Sequence, residues 1–311
     1  MTRGCSLVKD LRMLINNSKY SDVEIICEDG VKLYGCKAIL AARSEVFDRM
    51  FYNGMKESYE KQIFFPEINS SSMSVVLEFL YTGCNVNGSL TSDNIVGAYH
   101  AADYLQLSDL QEFITEILRE TLDQKYYESI APELLTKSIE KMSESAENPF
   151  LSLLVDSVAK IPLNTIDCTR LSFTAFQYLL SYTFDKEKPF ATSEYEVLRF
   201  GAIRAAYQIS NDAAISLRNR LPTLDKMGCP RKLDSKLYDH KYIIHRPKIV
   251  ELLSNIVDLI DFRRIDGKIL TEIIDPLGLV PADVIISAYR FLIKNKNLPA
   301  IRGIPYIFVQ I

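Results

Sequence analysis

Histidine is scarce in this chain, with three among 311 residues, and the six cysteines (Cys5, Cys27, Cys36, Cys84, Cys168 and Cys229) are scattered without a CxxC pair. So few imidazoles leave little for general acid–base chemistry. His100 sits in mid-helix with neither a cysteine nor a second histidine near it, while Cys229, His240 and His245 are too irregularly spaced for a standard zinc site. The phosphate-cradling glycine motifs, the GxSxG nucleophile elbow and HExxH are all missing. An enzyme is therefore not expected, nor a cofactor or a metal. No apolar run reaches the roughly 18–20 residues of a membrane span. The first stretch, broken by Lys9, Asp10 and Arg12, lacks the apolar centre of a signal peptide. No internal repeat of the propeller or solenoid kind is found. A net charge of −4 gives no overall pull toward nucleic acid or anionic membrane. These absences predict free thiols in a reducing compartment, a cytoplasmic place with the nucleus also open, and proteins as partners.

What is present is an ordinary folding composition, 48% hydrophobic and 24% charged, at a length that suits about two domains. Residues 21–82 are the most informative stretch. Val23 to Ile25 and Val31 to Gly35 flank Asp29-Gly30, and an Asp-Gly pair between β-favouring runs signals a tight hairpin. The apolar period then becomes helical at Ile39-Leu40, Val46-Phe47 and Met50-Phe51, with Ser44 placed to cap the second of two short helices. Gln62 to Phe65 reads as a strand again. Ser70, Ser71 and Ser72 lead a helix that Gly83 closes. The predicted order is strand, strand, helix, helix, strand, helix.

The runs SDV (21–23), CKAILAARSEVFDRMF (36–51), MKES (55–58) and FLYTG (79–83) together resemble the successive signatures of a BTB/POZ domain, in order and spacing, over roughly residues 7–122. One position departs: where that family usually has a histidine before the lysine of its central motif, this chain has Cys36.

Leu7, Leu11, Leu14 and Ile15 form an i, i+4, i+7, i+8 stripe. In the BTB family the leading helix packs across a two-fold axis, so the resemblance implies a homodimer through these four residues; the alternative is that the stripe packs on its own domain. The family also places Asp22 in a partly buried pocket beside Lys37. A carboxylate there would be costly unpaired, so Lys37 or Arg43 is expected to partner it in a structural role. In BTB adaptors a hydrophobic-x-Glu triplet after the second helix docks on a cullin, which here makes Met55 the anchor and Glu57 the orienting acid.

Beyond residue 94 the signals are helical: 94–106, then a helix that Ser108 can cap, 130–139, 150–159 opened by Asn148-Pro149, and 171–182. Ser193 to Glu196 reads as a capping box before 197–207. LSFTAFQYLLS followed by SEYEVLRFGAIRAA resembles the BACK domain that often follows BTB. Helical spacing continues at 247–262, 269–274 and 281–293, and residues 304–311 end on β-favouring apolar residues that want a partner strand or groove, or belong to a larger protein. Between 217 and 268 twelve basic residues stand against seven acidic ones, an excess of +5, read as a solvated face.

The expected architecture is α+β: a small BTB/POZ sheet-and-helix domain (1–124), an all-α BACK-like domain (125–215), and a further helical region (216–311). The expected function is a dimeric adaptor that brings an unidentified protein substrate to a cullin-RING ubiquitin ligase. The alternative is a BTB-mediated scaffold or self-assembly protein without a ubiquitin role. Neither nucleic acid nor membrane is expected as a partner.

Overall fold

The computed structural model describes residues 4, 6–54, 59–83, 88–122, 125–142, 148–185, 190–227, 240–294 and 298–302. The chain separates into two units: residues 1–127 with 140–150, and residues 128–139 with 151–311.

The first unit is α+β. After α1 (Leu7–Arg12), strands β1 (Val23–Cys27) and β2 (Lys32–Gly35) pair antiparallel, with Ile25 opposite Leu33, and β3 (Gln62–Phe65) pairs parallel with β1, placing Ile25 beside Ile63. The sheet order is β2-β1-β3. Strict alternation buries Val23, Ile25 and Cys27 of β1, Leu33 of β2, and Ile63 and Phe65 of β3 on one face. The hairpin turns at Gly30, whose φ of 73° suits a residue without a Cβ. Asp29 accepts the Val31 N–H with one oxygen and, with the other, the Ser70 N–H and hydroxyl at 3.2 and 2.6 Å, so the turn also holds the start of a helix.

That helix, α4 (Ser70–Thr82), follows α2 (Lys37–Arg43), α3 (Glu45–Tyr52) and β3 in the chain. It buries Met73, Val75, Val76, Leu77, Phe79, Leu80 and Tyr81, a set too wide for one stripe, so α4 is the central helix of this unit. Its cap is Asn69, whose side chain accepts the Ser72 N–H at 2.8 Å, rather than one of the three serines. Ser44 caps α3 as expected and gives its own hydroxyl proton to the Leu105 carbonyl. Phe47 stacks on Phe51 and meets Phe65 edge-on, and Phe65 in turn meets Tyr104. Helix α5 (Ile95–Tyr104) packs on α4, and α6 (Ser108–Leu122) packs on α5.

The second unit is helical. Its elements are the middle of α7 (Lys125–Lys141), most of α8 (Pro149–Ala159), α9 (Phe173–Asp185), α10 (Glu194–Ile209), α11 (Asn211–Arg220), α12 (His240–Val257), the short α13 (Gly267–Ile269) and α14 (Asp275–Leu277) joined by a π-helical stretch (Leu270–Ile274), and α15 (Ala282–Lys294). The axis is α10, buried on nearly every side. Gly201 lets it approach its neighbours, since a Cβ there would stand 2.6 Å from Ile256 and 3.0 Å from Phe176. Pro247, expected to open a helix, lies inside α12.

The predicted capping box does not form. Ser193 makes no cap bond. Glu196 accepts the Leu224 N–H at 2.9 Å and pairs with Arg199 at 3.4 Å. Glu194, wholly buried, takes both oxygens to Arg302, at 2.7 and 2.8 Å. The Arg302 guanidinium lies between the rings of Phe184 and Phe190 and also donates to the Leu259 carbonyl. A buried carboxylate needs a full set of donors, and a bidentate guanidinium meets that need better than one cap bond does.

Candidate protein-interaction surfaces

The leading segment is held at both ends but not covered. Arg12 pairs with Glu78 of α4 at 2.8 Å, and the Asn16 side chain accepts the Tyr34 N–H of β2. The helix ends at Arg12, and turns carry the chain on through Leu14 and Ile15. No residue of α1 is buried: Leu7 is 74% exposed, and Leu11, Leu14 and Ile15 are only half-buried. Val8 and Met13 are exposed beside them. The stripe thus keeps much of its apolar surface facing away from its own unit.

Asp22 and Lys37 are joined through the backbone, the carboxylate accepting the Lys37 N–H at 2.7 Å as α2 begins. The Lys37 ammonium is directed elsewhere, donating to the Glu60 carbonyl at 3.0 Å and lying 5.1 Å from the Phe51 ring centre. Arg43, the other expected partner, stands over Phe79. Cys36 caps the geometry where the family usually has histidine: its N–H donates to the Tyr81 hydroxyl and its thiol to the Tyr20 carbonyl. Burial, above all, pushes the Tyr81 phenol well above its ordinary range, so it stays protonated.

Met55 and Glu57 lie outside the described residues. The described chain around them presents aromatic surface. Tyr52, at the end of α3, is 59% exposed, Tyr59 is 84% exposed, and Phe64 on β3 is 66% exposed. Tyr104 is partly exposed where it meets Phe65. Sequence reasoning passed over these four residues. The alternation in Gln62-Ile63-Phe64-Phe65 carried the signal for Phe64, because burying Ile63 and Phe65 turns it outward.

Residues 11–122 match the family described as BTB/POZ domain. These residues, with the mixed sheet and surrounding helices just described, are a BTB/POZ domain. Among relatives, BTB/POZ domain-containing protein 9 of Drosophila melanogaster is 33% identical over 113 residues, which are 36% of this chain and 15% of that protein. Kelch repeat and BTB domain-containing protein 8 of Homo sapiens is 28% identical over 121 residues, 39% of this chain and 20% of the relative. Kelch repeat and BTB domain-containing protein 12 of Danio rerio is 31% identical over 107 residues, 34% and 16% respectively. The shared stretch spans a fifth or less of these relatives' length. It supports a protein-interaction role.

Among the described residues no helix is long and apolar enough to cross a membrane, and no group of three or more histidine, cysteine or acidic side chains could hold a metal ion. Cys27, Cys36 and Cys168 are free thiols.

Proposed function

We propose that this chain is a dimeric adaptor that joins a cullin scaffold through its BTB/POZ domain and carries a protein substrate to the ligase, with the helices after residue 125 acting as a BACK-like support. The observation behind this reading is the pair of exposed surfaces on one small domain: the partly exposed apolar face of α1, and the exposed Tyr52 and Tyr59 that flank the Met55-Lys56-Glu57 triplet in sequence. The first suits a second copy, since symmetric pairs are the commonest oligomers. The second suits a protein partner, because exposed aromatics near a central anchor are the usual make-up of an interface hot spot. A dimer would offer two cullin-binding arms and so raise avidity.

The test uses the purified chain and a cullin N-terminal domain on a sizing column with light scattering. The reading expects a two-copy particle that co-elutes with cullin, and a loss of at least about tenfold in affinity for the double variant M55A/E57A, the scale of hot-spot truncation. A dimer with no cullin affinity would favour the self-assembly scaffold instead, and a monomer would remove both.

A further inference from the structure

The start of α10 is closed by a distant piece of the chain. Residues 298–302, neither helix nor strand, lie against it: the Ala300 carbonyl accepts the Glu194 N–H at 3.1 Å, and the Pro299 and Ile301 carbonyls accept from the Arg264 guanidinium at 3.1 and 3.3 Å. Three successive carbonyls are thus bound, contacts that a main chain of almost any sequence can make. Ser193, at the N-cap position of α10, leaves its hydroxyl buried with no hydrogen-bond partner among the described residues. The helix start therefore has a local cap in reserve for when the segment is away.

One side chain gives the segment its specificity. Arg302 alone is buried; Leu298, Pro299 and Ile301 are half-buried and Ala300 is exposed. The Arg302 guanidinium enters a socket made by both oxygens of Glu194, the Leu259 carbonyl, the Thr183 hydroxyl at 3.4 Å and the rings of Phe184 and Phe190. These walls are tied together without the segment, since the Asp261 N–H donates to Glu194 at 3.1 Å. Arg263 and Arg264 both pair with the Asp261 carboxylate, so Glu194 takes its counter-ion from the segment. A planar fork that meets both oxygens and lies between two rings fits there, and a lysine ammonium does not. Because a buried carboxylate left with one N–H is costly, the segment gives way only to another guanidinium.

We propose that this socket is a docking site for an arginine-bearing segment of a partner protein, which replaces the chain's own residues 298–302. The site lies in the helical unit and is independent of the cullin reading.

The probe is the fluorescein-labelled, amidated peptide Leu-Pro-Ala-Ile-Arg, titrated by polarisation against the full chain carrying R302A, which frees the socket; peptides with glutamine or lysine in place of the arginine are the controls. The expected result is saturable binding, at least about tenfold weaker for either control peptide and for E194M/R302A. Wild type, whose own segment competes at an effective concentration of order millimolar, is expected to bind at least about tenfold more weakly than R302A. A photo-crosslinking version of the peptide at millimolar concentration should still label α9 or α10 of wild type, read by mass spectrometry. Equal binding of either control peptide, binding unchanged by E194M, wild type binding as tightly as R302A, or no arginine-dependent labelling of wild type would overturn the proposal. Should R302A not fold alone, the arginine peptide is expected to restore its far-UV circular dichroism, and failure to do so overturns the proposal as well.

Discussion

Removing the Arg302 guanidinium is the most severe single test of how the helical unit is held. Glu194 is 0% exposed and Arg302 5% exposed, and five side-chain bonds meet there: two between the two residues, one each from Arg302 to the Leu259 carbonyl and to the Thr183 hydroxyl at 3.4 Å, and one from the Asp261 N–H to Glu194 at 3.1 Å. Arg302→Met keeps an unbranched chain to lie between Phe184 and Phe190, so the loss reads the charge and not a void. What remains is a buried carboxylate holding one backbone N–H, and breaking such a pair costs about 3–5 kcal/mol. In a unit of this size 1 kcal/mol moves Tm by about 2–4 °C, so a fall on the order of 10 °C is expected. The double variant E194M/R302M buries no charge. Its remaining cost is the orphaned Asp261 N–H and Leu259 carbonyl, so it should be no less stable than R302M alone, and the cycle should be non-additive by at least about 2 kcal/mol. Urea unfolding followed by far-UV circular dichroism measures all four species. Additivity within about 0.5 kcal/mol, or a cost below about 1 kcal/mol for R302M, would refute the reasoning.

Two further outcomes are expected in the BTB/POZ unit. A Cβ at Gly97 would stand 2.3 Å from the Ser72 hydroxyl oxygen, so Gly97→Ala should cost about 1–3 kcal/mol by overpacking; because that oxygen is buried without a hydrogen-bond partner, Ser72→Ala alone should be nearly neutral and should relieve G97A in the double variant. Burial pushes the Cys27 thiol up to about 11 from an ordinary value near 9. The folded protein therefore holds this proton across the interval where the unfolded chain releases it, and stability from this group is full below pH 9 and is lost as pH rises toward 11. Alkylation of Cys27 by iodoacetamide, read by mass spectrometry, should lag a free thiol at pH 8 and show no thiolate-limited rise until well above pH 9.

How far the chain could be read depended on whether a residue's partner lies close in sequence. The Asp29-Gly30 turn, the alternation through Val23, Ile25 and Cys27, and the Ser44 cap are settled within a few residues, and the strands and short helices stand where those signals place them. The roles expected of the Leu7, Leu11, Leu14 and Ile15 stripe and of the Met55-Lys56-Glu57 triplet came only from family resemblance, since an exposed Leu7 carries no local mark of its purpose. Asp22 illustrates the middle ground. Its neighbourhood with Lys37 was expected from the family, but its acceptance of the backbone N–H, with the ammonium directed to Glu60 and Phe51, follows from how α2 meets the strand.

The helical unit shows why longer-range polar chemistry was hidden. Ser193 and Glu196 carry the spacing of a capping box, and such a cap contributes about 1 kcal/mol. Glu196 instead serves Leu224, 28 residues away, and Glu194 meets Arg302 across 108. An ionised carboxylate buried without adequate partners costs several times what a cap supplies, so once tertiary packing buries Glu194 and Glu196 of α10 these acids go to whichever donors the fold delivers.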